Sequence, residues 1–210
     1  SFKHANVGEG GLFVTNDPDI AAKAILYSGS YMLYAQHKAR PELSYFEKYR
    51  GAIPNFSLRM SNLAAAVGRP QIGLLAERTE AWNARYDRLA EGLGKIQHIR
   101  IPPRPAEESY VASSIQFSVK GLTDAEMETF LADAAARGVF VKWFGRKQPV
   151  GFTSVHDHWE YVSEKQHLPP SERVLSEVCD MRIPLALPLE SCDMIVAVIR
   201  HCLQGYAASA

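Results

Sequence analysis

The sequence predicts a mixed α/β protein in two parts, and three observations lead to this prediction. A long helical pattern begins after Ser61 and continues to about Leu93. A proline cluster at positions 102, 103 and 105 follows, which is typical of a linker. Polar and apolar residues then alternate over residues 113–119, which indicates a strand in a second and smaller lobe.

The composition excludes several classes of protein. The 210 residues carry 23 Lys and Arg against 23 Asp and Glu, so no net field attracts phosphates and no nucleic-acid binding is expected. A hydrophobic content of 47% excludes a disordered chain. Apolar runs such as residues 194–199 are too short to cross a membrane. Cys179, Cys192 and Cys202 are expected to be reduced core thiols of a cytoplasmic protein.

The first part of the chain predicts a strand, a helix and a long irregular segment. Residues 12–15 are mainly apolar and follow two glycines, which indicates a short strand. Asp17 as N-cap and Pro18 in the first turn predict a helix that ends near Gly29. Aromatic residues over residues 30–54 show no period, and such a long segment is typically functional or an interface.

The long helical pattern is predicted to be one kinked helix. Ser61 is the predicted N-cap of a helix over residues 62–93. Pro70 lies inside it and has Gly68 and Gly73 as close neighbours, so a kink is expected there.

The remaining residues predict a small α+β lobe with helices on one face of its sheet. Ile115, Phe117 and Val119 fall on one face of the first strand. Thr123 and Glu126 have the spacing of a capping box. The predicted elements are a strand at 113–119, a helix to about 137, strands at 139–144 and 182–187, and a helix that Ser191 caps and that ends near 203.

Lys3 stands out because of the residues that follow it. Residues 3–17 have the sequence KHANVGEGGLFVTND, in which Lys3 lies six residues before Glu9. Glycines at positions 8, 10 and 11 let the backbone turn sharply without Cβ clashes, and a lysine on such a loop can present its amine to an aldehyde. The segment closely resembles the Schiff-base lysine segment of the DegT/DnrJ/EryC1/StrS aminotransferases.

The resemblance implies a pyridoxal 5'-phosphate enzyme with the aspartate-aminotransferase-like fold, fold type I. In such an enzyme Lys3 would form the internal aldimine and then shuttle a proton between substrate and cofactor. The family implies transfer of an amino group from Glu or Gln to a keto sugar or a keto-cyclitol. It also implies a homodimer, because its members build each active site from two subunits.

A second segment, residues 54–71, resembles the family's Gly-Tyr-Asn-Tyr-Arg-Met-Ser sequence and the helix after it. The family's Asn, which reaches the cofactor phosphate of the neighbouring subunit, aligns with Ser57. Ser57 keeps a hydroxyl donor and Asn55 lies two residues earlier, so either residue is a candidate for the phosphate contact. Arg59 is implied as a further cofactor-binding residue, with an ion pair at the helix start or between subunits as the alternative.

A third segment, residues 138–144, lies where the family's small domain sends a strand toward the active site. The resemblance implies Trp143 and Phe144 as candidate substrate contacts, with packing in the core as the alternative. His156 and His158 have no acidic or thiol partner at ligand spacing, so no metal site is predicted.

The resemblance covers nearly the whole chain. It implies that residues 1–95 are the C-terminal part of a large cofactor domain with its connecting helix, and that residues 96–210 are the small domain. The family's first half supplies the phosphate loop, the stacked aromatic ring and the Asp that pairs with the ring nitrogen. We therefore expect the C-terminal part of a longer chain, inactive alone. A sugar dehydratase relative, with His in place of the lysine, and a non-catalytic binding or regulatory module are the alternatives.

Overall fold

The computed structural model describes residues 4–54, 56–148 and 155–206, and the chain forms two compact units that divide after Leu75. The proline cluster lies inside the second unit. There Arg104 packs over two aromatic rings, with its Cζ 3.4 Å from the ring centroid of Tyr86 and 4.4 Å from that of Tyr110. The proline cluster therefore connects two strands and not the two units. The family-based division into residues 1–95 and 96–210 stays a prediction. No helix of the described residues is both long and apolar enough to cross a membrane.

The first unit is built on helix α1, Pro18–Tyr27. Asp17 caps it as predicted, because its carboxylate accepts from the backbone N–H groups of Asp19 and Ile20 at 2.8 and 3.1 Å. The helix ends before Gly29, whose φ of 95° few other residues adopt readily. Both predicted ends of α1 are confirmed.

Residues 30–54 fold over α1 and are more regular than predicted. They contain a 3₁₀ turn, Tyr34–Gln36, and a short helix α2, Leu43–Glu47. Phe46 is fully buried against α1, and the ring of Tyr34 stacks on it at 4.7 Å. The prediction of a wholly irregular segment is wrong because these aromatic residues pack on α1 and give the segment a core.

The predicted strand at residues 12–15 is absent from the described part of the chain. Residues 12–15 have no strand assignment, and the side chains of Leu12, Phe13 and Val14 are 63%, 67% and 88% exposed. A strand forms only where a neighbour supplies ladder hydrogen bonds, and the four-stranded sheet described here lies wholly in the second unit.

The long helical pattern forms two helices and not one kinked helix. Helix α3 is Asn62–Gly73, and helix α4 is Leu75–Leu93. Ser61 caps α3 as predicted, since its hydroxyl accepts from the Ala64 N–H at 3.1 Å. Pro70 remains inside α3, and the break comes at Leu74, directly after Gly73, a residue of low helix propensity.

The second unit contains one antiparallel sheet with strand order β1-β2-β4-β3. Cross-strand pairs put Ile115 opposite Met181 and Phe117 opposite Cys179, so the buried faces of β2 and β4 coincide. The strands are β1, Ile99–Arg100; β2, Ser114–Val119; β3, Lys142–Trp143; and β4, Val178–Arg182. The helices besides α4 are α5, Asp124–Ala136; α6, Pro169–Glu177; and α7, Ser191–Leu203.

Three sequence predictions in this unit are corrected by the structure. The strand predicted at 182–187 is observed as β4, which ends at Arg182. It ends there because Pro184 has no N–H for a ladder, and the Leu187 N–H donates to the Pro184 carbonyl at 3.1 Å and closes a turn. The strand predicted at 139–144 is observed as β3, which contains only Lys142–Trp143. Ser191 is the first residue of α7 and gives it no side-chain cap. Strand β1 and helix α6 were not predicted.

The core of the second unit lies between the sheet and its helices, as the alternation in β2 predicts. Phe117 and Ile115 are fully buried there together with Leu89 of α4, Phe130 of α5 and Ile199 of α7. The predicted capping box starts α5, with the Thr123 N–H donating to the Glu126 carboxylate at 2.7 Å.

Replacing Phe117 with Ala should lower the free energy of unfolding by about 3–5 kcal/mol, because it leaves a cavity in the core. Phe140→Ala is the matched control, since the Phe140 side chain is 75% exposed and its loss should cost less than about 1 kcal/mol. Urea titration measures both. Equal losses in the two variants would contradict the described core.

All three cysteines are free and buried, as predicted. Burial raises the pKa of Cys179 to about 12 and also raises the pKa of Cys192 and of Cys202. Because the thiolate is the reactive form, a disulfide reagent at pH 8 should label none of them in the folded protein and all of them in urea. Rapid labelling of folded Cys179 at that pH would be inconsistent with this packing.

Candidate functional site

The two segments that the sequence singles out are in contact in the first unit. Residues 4–11, which we call the lysine loop because they follow Lys3, lie against α3. The Asn6 N–H donates to Gln71 Oε1 at 2.8 Å, and Gln71 Nε2 donates to the Asn6 carbonyl at 2.7 Å. One carboxamide of α3 thus satisfies both backbone groups of a loop residue.

Glycines make the close contact of the lysine loop possible at two further points. A Cβ on Gly68 of α3 would lie 3.0 Å from Val7 Cγ1, so a larger residue there would require Val7 to shift. Gly10 has φ 136°, and a Cβ on it would lie 3.0 Å from Met60 Cε. The lysine loop therefore contacts the segment around α3 at residues 6, 7 and 10.

A cleft of about 580 Å³ lies between the lysine loop and α3. His4, the residue directly after Lys3, lines it from the loop, and Met60, Arg69 and Ile72 line it from the α3 segment. A second cleft, of about 620 Å³, shares Gly11 and Met60 with the first. The two clefts therefore adjoin at these residues.

Lys3 and Asn55 lie outside the described residues. Ser57 and Arg59 are both exposed, and Arg59 lines the second cleft. Ser57 has φ 52°, the left-handed region, which costs a residue other than glycine about 1–3 kcal/mol and tends to occur at functional sites. The strain favours a role for Ser57 beyond packing.

The sequence candidates of the small lobe have different surroundings. Trp143 is 4% exposed, and its indole N–H donates to the Ser176 carbonyl at 2.8 Å, so its polar atom is already bonded. Phe144 is half-buried under Lys142, whose Nζ lies 4.6 Å from the ring centroid. Phe144 also lines a cleft of about 860 Å³ with Lys142, Asp180 and Arg182.

The residue types in these segments are those that pyridoxal phosphate, the group that the resemblance implies, would require. An aldehyde requires a primary amine, which Lys3, the residue before the lysine loop, carries. A phosphate requires hydrogen-bond donors and positive charge, which the Ser57 hydroxyl, the Asn55 amide and the Arg59 guanidinium provide. Among the described residues, no group of three or more His, Cys, Asp or Glu side chains could hold a metal ion.

Gly68 was expected only to contribute to a kink beside Pro70, and Gln71 was part of the second segment of the resemblance without a role of its own. A glycine inside a helical pattern is a signal of close backbone approach, so Gly68 could have been found. Gln71 carries no such signal, because an exposed-looking glutamine on a helix is common. Its partner is the backbone of Asn6, 65 residues away in the chain.

Comparisons with known proteins show the family and the fold of the chain. The model of the DegT/DnrJ/EryC1/StrS aminotransferase family matches residues 1–200. Solved structures with a similar fold include the aminotransferase TlmJ from Streptoalloteichus hindustanus, with TM-score 0.70 and 18% identity over 97% of this chain and 50% of that chain. No curated protein has significant sequence similarity to the chain.

Two other structures show the same likeness. DesI, determined in the presence of its TDP-sugar product, has TM-score 0.70 and 17% identity over 97% of this chain and 48% of that chain. The PLP form of the putative sugar aminotransferase Spr1654 from Streptococcus pneumoniae has TM-score 0.58 and 16% identity over 72% of this chain and 38% of that chain. The chain spans about half the length of the first structures it matches.

Gly10→Ala should loosen the lysine loop, because φ 136° and the close Met60 methyl both oppose a Cβ. Gly11→Ala is the matched control, since a Cβ there meets no atom within 4 Å. Hydrogen exchange of residues 4–11 should be faster in Gly10→Ala and unchanged in Gly11→Ala. Equal exchange in both variants would refute the described contact.

Proposed function

Because the chain belongs to the DegT/DnrJ/EryC1/StrS aminotransferase family, we propose that it is the C-terminal part of a pyridoxal-phosphate-dependent aminotransferase. The observation that carries this proposal is the contact between the lysine loop and α3, which joins the first two of the three segments that resemble the family. The fold shared with sugar aminotransferases also supports it. The proposal requires Lys3 to be the residue that carries the cofactor.

Pyridoxal phosphate, when bound, supplies an aldehyde and a ring that stabilises negative charge at the substrate carbon. The Lys3 amine would hold the group at that aldehyde and keep the ring in place. Once an amino donor had taken its place there, Lys3 Nζ would be the base that takes the proton from the donor's α-carbon and the acid that returns it to the cofactor. Ser57 or Asn55, together with Arg59, binds the phosphate in the neighbouring subunit.

The proposed amino donor is Glu or Gln, and the proposed acceptor is a keto sugar or a keto-cyclitol. The sugar acceptor is supported by DesI, which was solved with its TDP-sugar product. Of the two proposed substrate contacts, Phe144 has the more suitable surroundings, because it lines a cleft that also contains Lys142 and Arg182. Trp143 is more enclosed, and its indole N–H is bonded within the fold.

A homodimer in the cytoplasm is the proposed state of the protein. Within the described residues 62–73, helix α3 has no buried side chain, and Leu63 is 77% exposed. Leu58, Phe13 and Val14 are also apolar and exposed in the same unit. Exposed apolar groups such as these support a surface that is covered in the whole protein, and its proposed partners are a second copy and the family's first half. The free, buried cysteines support a reducing compartment.

Catalysis by the 210 residues alone is not proposed. The Asp that keeps a pyridine nitrogen protonated belongs to the family's first half, and the chain matches about half of TlmJ and of DesI. The dehydratase alternative is disfavoured, because the position that His takes in those relatives is Lys3 here, with His4 one residue later.

The proposal predicts a pyridoxyl adduct on Lys3. The protein purified at its natural length should gain this adduct when it is mixed with pyridoxal phosphate and reduced with borohydride, and peptide mass spectrometry should locate it. Lys3→Ala should lose the adduct and the aminotransferase activity, whereas Lys38→Ala, at an exposed position, should keep both. An adduct on another lysine, or none, would overturn the assignment of Lys3 and favour a non-catalytic module.

A further inference from the structure

We propose that Gln71 is a positioning residue, which holds the backbone of Asn6 and thereby fixes where Lys3 can place its amine. This inference rests on the proposed function, because it concerns the same lysine. Gln71 does not touch the cofactor in this account. It acts through the lysine loop.

The Gln71 carboxamide is held from both sides. Its Oε1 accepts from the Asn6 N–H at 2.8 Å, and its Nε2 donates to the Asn6 carbonyl at 2.7 Å. The same Nε2 donates to the Val67 carbonyl at 3.1 Å, one turn earlier in α3. Both N–H bonds of the amide therefore have partners, and α3 itself orients the group that holds the loop.

The side-chain chemistry needed at position 71 is specific. The pair with Asn6 requires one acceptor and one donor on the same planar group, which glutamine provides at this length. An ionised Glu has only acceptors and would place a negative charge against the carbonyls of Asn6 and Val67. Alanine makes neither bond. The Asn6 side chain is not part of the pair, since its Oδ1 accepts from the Gly8 N–H at 3.5 Å.

The distance along the chain makes this contact relevant to Lys3. Asn6 lies three residues after Lys3, so fixing its two backbone groups restricts the path of the chain that leads back to the lysine. Val7, the next residue, packs on Gly68 of α3, so two adjacent residues of the loop contact the helix. A displacement of about 1 Å at a reacting group can reduce a rate by about a hundredfold.

The test compares Gln71→Ala and Gln71→Glu with wild type in the protein purified at its natural length. Gln97→Glu is the matched control, because Gln97 is an exposed residue of the second unit outside the site. The first readout is the rate at which the pyridoxyl adduct forms on Lys3, which we call the trapping rate. Samples are reduced with borohydride at successive times after pyridoxal phosphate is added, and mass spectrometry measures the adduct in each. The second readout is the single-turnover rate with Glu or Gln, measured against donor concentration.

In both Gln71 variants the adduct on Lys3 should form at least about tenfold more slowly than in wild type, and the maximal turnover rate should be about 10–100-fold lower. The half-saturating donor concentration should change by less than about threefold. Gln97→Glu should match wild type in all of these. Circular dichroism confirms that each variant is folded. A misfolded variant would lose donor binding and turnover together, so this split separates positioning from a structural defect.

Gln71→Glu adds a test that does not depend on comparing two different side chains. Below about pH 5 a carboxyl group becomes protonated and regains one donor beside its acceptor oxygen. The trapping rate of this variant, relative to wild type at the same pH, should therefore rise at least about threefold as the pH falls from 8 to about 4. The same ratio for Gln71→Ala should stay constant.

The outcomes separate the two proposals. If wild type forms no adduct on Lys3, the proposed function fails and the role of Gln71 fails with it. If wild type forms the adduct, and the Gln71 variants form it at the same rate and turn over equally fast, only the role of Gln71 is overturned. A fall in trapping rate that also occurs in Gln97→Glu would overturn it as well.

Discussion

The docking of residues 4–11 on helix α3 is the contact on which the candidate site depends. It joins a loop near the start of the chain to a helix about 60 residues later through one carboxamide and two glycine positions. Each neutral hydrogen bond of this kind contributes only about 0.5–1.5 kcal/mol. The contact therefore matters less for overall stability than for the position of one backbone segment.

This contact explains residues that would otherwise have no evident purpose. Glycine inside α3 weakens the helix, yet Gly68 lets Val7 approach closely. Ser57 holds a left-handed backbone just before α3, at φ 52°. Both features have a local cost. They are consistent with the proposed role of this segment in presenting a lysine and phosphate-binding groups.

Features that depend on residues a few positions apart, such as helix caps, were predictable from the sequence. Contacts between residues far apart in the chain were not. Asp17, Ser61 and Thr123 cap helices as predicted, because each cap is completed by a neighbouring N–H. The strand predicted at 12–15 failed because a strand depends on a distant partner. The family resemblance identified Lys3 and the segment around Ser57, but the bond between Gln71 and Asn6 arises only on folding.

A nuclear Overhauser effect between the Val7 methyl groups and the Gly68 α-protons tests the central contact most directly. Val7 Cγ1 lies so near Gly68 that an added Cβ would be 3.0 Å from it. We therefore predict a strong effect in the folded protein, with the Asn6 amide proton protected from exchange by Gln71. Absence of the effect, together with free exchange of the Asn6 amide, would show that the lysine loop is not docked on α3 and would contradict this account.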